Sequence, residues 1–414
     1  MSPLEFFRLR TREEVLALYT RFPAVGAEEV HLVEAHGRVL AAALPAPEPV
    51  PAFPRASMDG YAVRAQDTFG ASPGLPQFLQ IIGEVAMGAA PEHSLGPMAA
   101  MRAATGAMLP PGADAVVMLE YTAEHPDKTL EVRRPVAPGE NVLKPGEDVG
   151  PGEALFPAGR RLRSQDIGLL AALGIITLTV YRQPRVAILS SGDEIVSVSE
   201  KPGPAQVRDA NAHLLAAQVE EGGGLPALWG IVPDDFPALK EALAAALPEA
   251  DLILISGGSS VGARDLTLKV IQDLPGAEIL VHGVALRPGK PTILASLGEK
   301  PLLGLPGHPA SAAIVMQVLG QPLLARLSGL AESASPWGGT VLARLSRNLA
   351  GASGREDFVR VRLRPEGETL WADPVLGPSA LLSPMVKSHG LVMIPLEVEG
   401  LSRGEPVTVR LFER

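Results

Sequence analysis

Apolar and polar positions follow different periods in different stretches of the chain, and each period predicts a different kind of element. Near the start, Thr11 followed by Glu14 makes a capping box ahead of Val15, Leu16, Leu18 and Tyr19. The pattern predicts helix through 5–43, with a second helical piece at 28–35 that stops at Gly37. Proline is too frequent in 44–55 for regular helix. From 57 to 139, short apolar runs at 77–85, 98–104, 115–119 and 129–133 lie between Gly/Pro turns and read as strands of a small β domain. Residues 140–181 hold Gly-rich loops, a short helix from Ser164 to Gly174 and a strand at 175–181.

From 185 the period changes. Short apolar strands at 185–190, 227–232, 251–256, 279–286, 291–296 and 301–305 alternate with helices at 211–221, 236–247, 264–273 and 309–328. Such alternation predicts a three-layer α/β domain with a mostly parallel sheet and helices on both faces. Ligands of such sheets sit beyond the carboxyl ends of the strands. The tail from 338 returns to short alternating strands, at 358–363 and 407–412, as in a small β barrel or sandwich. The organisation read from these shifts is an elongated, helical and mixed N-terminal domain (1–43 with 140–182), an inserted β domain (44–139), the α/β domain (183–329) and a C-terminal β domain (336–414).

Composition narrows the chemistry. With 414 residues, several cores are expected, and 46% hydrophobic but 4% aromatic residues mean that aliphatic side chains fill them. No cysteine is present, which excludes disulfides, thiolate catalysis and Cys-ligated metal. The eight histidines show no ligand spacing, so any metal should be a hard cation held by carboxylates. A net charge of −10 argues against general nucleic-acid binding. No run reaches the roughly 18 apolar residues of a membrane span, and the first residues lack a signal-peptide pattern. A soluble, cytoplasmic protein without membrane or nucleic-acid partners is expected.

The informative loops follow the α/β strands. One strand empties into Ser191-Gly192-Asp193-Glu194, another into Ser256-Gly257-Gly258-Ser259-Ser260 and on to Asp265. Glycines let backbone N–H groups approach an anion, and a following helix adds positive potential. Neither a Walker A loop nor a GxGxxG fingerprint is present. Arg287-Pro288-Gly289-Lys290-Pro291 places two cations around a rigid turn, suited to phosphate or oxyanion. Pro306-Gly307-His308-Pro309 opens the last helix at the same predicted edge. Each loop alone is equally a structural turn; three converging on one edge favour a shared anion site. Glu194, Asp234 and Asp265 fall near these loops and could cap helices or, beside an anion, hold Mg2+. In the β domain, the segments 57–62 and 105–114 read as turns that physics alone does not make catalytic.

Seven segments in order, SMDGYA (57–62), TGAMLPPGADAVV (105–117), GED (146–148), SGDE (191–194), SGGSSVGARD (256–265), RPGKP (287–291) and PGHPAS (306–311), resemble the molybdopterin molybdenumtransferases, the MoeA proteins and the E domain of gephyrin. The match runs nearly end to end. The resemblance implies an elongated homodimer of four-domain subunits with a MogA-like α/β domain. The active site would lie between that domain of one subunit and the β and C-terminal domains of the other. It implies molybdenum cofactor biosynthesis: molybdate enters adenylylated molybdopterin, AMP leaves and Mg2+ assists. A MogA-type adenylyltransferase and downstream molybdoenzyme chaperones would be partners.

Residue by residue, the resemblance carries catalytic roles to Asp59, Thr105, Glu194, Asp234, Asp265 and Lys290. Glu194, Asp234 and Asp265 are also the implied metal ligands. Asp148, Gly192, Ser256, Gly257, Gly258, Ser259, Arg287, Pro306, Pro309, Arg355 and Ser379 are the implied substrate or phosphate contacts. The chain departs from the family at Arg287, usually lysine; at Gly283 beside His282, where some members have a second lysine; at His308 in the PGNP turn; and at Leu143 beside Lys144, where arginine is frequent. Those changes leave molybdate and tungstate open. Rival readings are an enzyme that adenylates molybdopterin, a non-catalytic scaffold and a generic nucleotide-binding α/β enzyme. The retained acids and cations and the additional domains speak against them.

Overall fold

The structure is a computed structural model that describes residues 9–257, 261–331 and 339–412; for 261–265 it describes the backbone alone. The chain divides into two compact units, Met1–Ala42 with Ala158–Arg163 and Leu178–Arg414, and Ala43–Pro157 with Ser164–Thr177.

The larger unit contains the α/β domain, whose elements are β1 (Arg185–Ser191), α1 (Ala210–Gly222), β2 (Leu225–Val232), α2 (Phe236–Glu249), β3 (Leu252–Gly257), α3 (Val261–Gln272), β4 (Ala277–His282), β5 (Ile293–Leu297) and β6 (Lys300–Pro306). The sheet order is β2-β1-β3-β6-β5-β4. The first four strands are parallel, and β5 and β4 run antiparallel at the far side. Side chains alternate between two cores, as a doubly covered sheet requires. Val186, Ile188, Leu252, Leu254, Leu303 and Leu305 pack with Leu215 and Val219 of α1 and with the final helical run. Ala187, Leu189, Ile253 and Ile255 pack with Leu239 and Leu243 of α2 and Val270 of α3. Local signals set the helix ends: Asp209 caps α1 through the Ala212 N–H at 3.0 Å, and Gly223 ends it at φ +90°.

The run Pro309–Leu327 is long and apolar enough to cross a membrane, but 83% of it is buried in the α/β core. It is not one regular helix. Met316–Gly320 forms a π turn, where a Cβ on Gly320 would lie 2.2 Å from Met316 Sδ.

Two expectations need correction. Of the helix expected at 5–43, residues 5–8 lie outside the described ones, and 9–43 are not mostly helix: after Arg12–Ala17 and one 3-10 turn, Ala27–His31 is a strand followed by a single turn at Leu32–Glu34. The Val30-His31-Leu32-Val33 cluster mimics a helical stripe, but β-sheet pairing overrides it. The strand expected at 279–286 ends at His282; Leu286–Arg287 leaves the sheet and pairs parallel with Glu356–Asp357. Thr11 and Glu14 do form the capping box, at 3.1 and 2.8 Å.

After residue 339 the strands Glu356–Glu366, Thr369–Pro374, Thr340–Leu345, Pro406–Leu411 and Gly390–Ile394 follow one another in the sheet, and the first also pairs with the last. The sheet therefore closes into a small barrel, filled by Leu345, Val361, Ala372, Ile394 and Val409.

In the second unit a six-stranded sheet runs Ala115–Met118, Gly60–Val63, Ala99–Ala103, Gln77–Glu84, Thr129–Val132, Thr122–Glu124. The SMDGYA segment is only half turn: Gly60–Val63 is a fully buried strand between two neighbours. A Cβ on Gly60 would lie 2.0 Å from Val117 O, so this strand must begin with glycine.

Candidate active site

Register brings the α/β loops together. Ser191 lies opposite both Val232 and Gly257, and Gly257 lies opposite Pro306. The strand ends at Ser191, Val232, Gly257 and Pro306 therefore lie side by side at one carboxyl edge. β1 connects through α1 to β2 on one side, and β2 returns through α2 to β3 on the other. The gap between β1 and β3 is thus the topological switch point, where ligands of such sheets bind.

That gap is narrow. Gly257 has φ +154°, and a Cβ there would lie 2.2 Å from Ser191 O. Ser191 is buried, and its hydroxyl donates to Asp234 Oδ1 at 2.5 Å. Asp193 Oδ1 accepts from the Asp234 N–H at 3.1 Å, so the carboxylate is fixed through both side chain and backbone. Glu194 is exposed and folds back over Gly192, where an added Cβ would meet its Oε2 at 2.9 Å. Ser256 is buried. Asn211, on the first turn of α1, donates its side-chain amide to Gly307 O at 2.9 Å and so ties down the loop between Pro306 and Pro309. Pro309 is the first residue of the last helical run. Gly258 and Ser259 lie outside the described residues. Asp265 sits within α3, and its side chain also lies outside them.

The basic turn is built against the barrel. Gly289 has φ +120°, and a Cβ there would lie 2.5 Å from Val315 Cγ2. Thr292 Oγ1 closes the turn by donating to Gly289 O at 2.7 Å. Lys290 is exposed. Arg287 is already engaged: Nη2 lies 2.5 Å from Asp357 Oδ2 and donates to Ala350 O at 3.1 Å. Arg287 is thus tied to the barrel as well as to the turn.

Beside it lies a cavity of about 310 Å3, lined by Arg287, Pro288, Ala310, Asp357, Arg360 and Ser379 among others. Ser379 joins the C-terminal segment to the last helix, through its carbonyl to Ala310 N at 3.0 Å and its hydroxyl to His308 Nδ1 at 2.9 Å. Arg360 is buried; Nη2 donates to Gly377 O at 2.7 Å, and Nη1 has no partner among the described residues. Arg360 was not among the residues named from the sequence; Arg355, which was, does not line this cavity and acts on Asp357 through its charge. The available signal was an arginine within the apolar strand positions Phe358, Val359 and Val361.

In the second unit, Asp59 Oδ1 accepts from both the N–H and the hydroxyl of Thr105, at 2.7 and 2.9 Å. Those two donors, aided by the charge of Arg102, hold the carboxyl below its usual range despite a small opposing effect of desolvation. Both residues are exposed and so present an ionised acid and a hydroxyl to solvent. Asp148 is also exposed; its N–H donates to Val50 O at 3.0 Å. Asp114 has a structural task, accepting from Ala65 N at 2.6 Å, and a Cβ on Gly112 would lie 2.5 Å from Leu95 O. Much of the 105–117 motif thus maintains the β domain. Among the described residues, no three His, Asp or Glu side chains are grouped to hold a metal.

Three family models match in order: the MoeA N-terminal region, domains I and II, over 10–174; a probable molybdopterin binding domain over 187–326; and the MoeA C-terminal region, domain IV, over 342–412. The chain belongs to the MoeA family. A molybdopterin molybdenumtransferase of Bacillus subtilis is 32% identical over 97% of this chain and 93% of its own length. A putative molybdopterin biosynthesis protein of Methanocaldococcus jannaschii is 35% identical over 93% of this chain and 92% of its own. A solved MoeA protein from Pyrococcus horikoshii superposes with a TM-score of 0.85 at 32% identity, covering 98% of this chain and 100% of that one. The expected multidomain architecture, with its α/β domain and closed C-terminal barrel, is the architecture found. The family places the chain in molybdenum cofactor biosynthesis.

Proposed function

We propose how this enzyme of molybdenum cofactor biosynthesis, a molybdopterin molybdenumtransferase, divides its reaction among the residues described. The phosphates of adenylylated molybdopterin lie along the carboxyl edge of the α/β sheet, at the strand ends Ser191, Gly257 and Pro306. The observation that carries this reading is the register of Ser191, Gly257 and Pro306, which aligns those strand ends at a switch point. Molybdate, the second substrate, enters the cavity lined by Arg287, Arg360 and Ser379, where Arg360 offers a buried cationic N–H without a protein partner. Lys290, exposed on the adjoining turn, supplies a mobile counter-charge to phosphate oxygens.

Release of AMP from a phosphoanhydride needs positioning and charge neutralisation more than a protein nucleophile. Glu194 and Asp234, with Asp265, are the residues that would hold Mg2+. Among the described residues no three carboxylates are grouped to hold the ion alone, so substrate phosphate oxygens and water would supply the remaining ligands, which suits this ion. Mg2+ would neutralise the phosphates. The hydroxyl of Ser191 and the carboxylate of Asp193 keep Asp234 aimed without any closing motion. Asp59 and Thr105 complete the site from the second subunit of a homodimer.

Purified protein supplied with adenylylated molybdopterin, molybdate and Mg2+ should release AMP in step with molybdenum incorporation. Absence of AMP would overturn the reading. AMP release without molybdate would favour hydrolysis instead.

A further inference from the structure

The cavity between the Arg287–Pro288 turn and the barrel is lined by two buried residues of opposite charge, each with one side-chain atom that has no partner among the described residues. Arg360 is 8% exposed and its Nη1 has no partner. Asp357 is 1% exposed; its Oδ2 accepts from Ala352 N at 2.9 Å and faces Arg287 Nη2, while Oδ1 has no partner. Asp357 is the only carboxylate among the described residues that line the cavity.

A ligand completing both groups must offer an acceptor to Arg360 and share a proton with Asp357. A fully ionised tetrahedral dianion satisfies the first and sets like charges together at the second, a costly arrangement in a desolvated site. One added proton removes that conflict. It can reside on Asp357, whose Oδ1 then donates to the anion, or on an anion oxygen that donates to Asp357 Oδ1. Burial pushes the Asp357 carboxyl above its ordinary range, against the pull of the Ala352 N–H and of Arg287 and Arg355. The cationic groups acting on Asp357 are Arg287 from the turn and Arg355 before the strand, and Arg360 within the strand lines the same cavity. His308, hydrogen-bonded to Ser379, is the other titratable group nearby.

We propose that the oxyanion taken up by this cavity binds together with one proton, and that Asp357 makes the site select molybdate or tungstate over sulfate. The inference rests on the reading above that the oxyanion substrate enters this cavity. Sulfate is a much weaker base than molybdate, so it is the poorer partner for a shared proton. Size alone would not separate the anions as sharply, because the cavity is several times the volume of either.

The test is calorimetric titration of the full-length protein with molybdate in two buffers of different ionisation heat, over a range of pH. Close to one proton should be taken up per anion above the folded-state pKa of Asp357. In that range affinity should weaken about tenfold per pH unit, the slope of a single linked proton. Sulfate should compete poorly. Asp357→Asn should bind molybdate without proton uptake or pH slope and admit sulfate, whereas His308→Asn should keep the uptake. If Asp357→Asn fails to fold, difference infrared spectra of the wild-type protein decide: molybdate should either strengthen a protonated-carboxyl band or shift a carboxylate band, and the absence of both changes overturns the proposal. Binding without proton uptake, or uptake unchanged in Asp357→Asn, overturns the proposal. Failure of the wild-type protein to bind molybdate, or binding indifferent to Arg360→Ala, overturns instead the placement of the oxyanion in this cavity.

Discussion

A Cβ on Gly257 would stand 2.2 Å from the carbonyl oxygen of Ser191. The two strands at the switch point thus approach closely at their backbones, beside the Ser191–Asp234 hydrogen bond. Gly257→Ala should push the strand ends apart while leaving the core below unchanged. A stability loss of about 1–3 kcal/mol is expected from overpacking, read by urea unfolding, with a larger proportional loss of turnover. A variant with unaltered stability and turnover would show that the edge has room to relax.

Ser191 should matter through Asp234. Ser191→Ala removes the 2.5 Å donor and frees the carboxylate to rotate. Turnover should fall roughly tenfold or more, because small misplacements of positioned groups cost rate steeply. Stability should change by about 1.5–3 kcal/mol at most, the range for hydrogen bonds to charged groups. Ser191→Thr keeps the donor and should recover much of the activity. Equal losses in both variants would mean that packing, not the hydrogen bond, is what Ser191 contributes.

This edge was the most legible part of the sequence. Continuous apolar runs such as Val186–Leu189 announce a strand covered on both faces, and the glycines and serines after them announce a bend at its end. Arg287 was legible as a cation but not as the partner of Asp357, because 70 residues of chain separate them and only the Leu286–Arg287 pairing with the barrel brings them together. Arg360 was hidden for a related reason. In sequence it alternates with Arg362 like any exposed strand residue, and only barrel closure and the covering segment at Gly377 bury it. The helix expected at 28–35 failed because local period cannot register a strand's distant partner.

The Asp59–Thr105 pair gives a direct titration test. Thr105→Val removes the hydroxyl donor and retains the N–H, so the Asp59 carboxyl should move part of the way back up toward its ordinary range. NMR titration of the Asp59 carboxyl carbon would follow that movement. An unmoved titration would show that the backbone donor alone holds the acid down. Activity should fall about tenfold, within the span of a lost positioning contact.

Away from the site, Asp251 accepts two hydrogen bonds from Arg182, both 2.6 Å, and one from Arg185 N at 2.8 Å. Burial alone would raise its carboxyl, but these donors outweigh burial and hold it below 3.8. Its folded pKa therefore lies under the unfolded one. The stability it confers is present above the unfolded value and is lost as pH falls through the folded value. Asp251→Ala should cost about 2–3 kcal/mol near neutrality, with the difference from wild type shrinking in acid. Turnover per folded molecule should be unchanged, since Asp251 starts β3's approach at the edge opposite the candidate site. Thermal melts at several pH values would check the sign.

The proposed sharing of the site between subunits has a consequence that no single-subunit arrangement reproduces. Asp59→Ala disables the half contributed by the second unit, and Asp234→Ala disables the α/β half. Each homodimer should be inactive. Mixing the two and allowing exchange should create heterodimers in which one of the two sites has both halves intact. With equal amounts and random pairing, half the dimers are mixed, and each carries one working site of two. Recovery to about a quarter of wild-type AMP release is then expected. If Asp59 and Asp234 serve the same subunit, every site in the mixture lacks one of them and activity stays at the level of the parents. Mass spectrometry of the mixture must accompany the assay, because only confirmed exchange makes an inactive mixture count against the shared site.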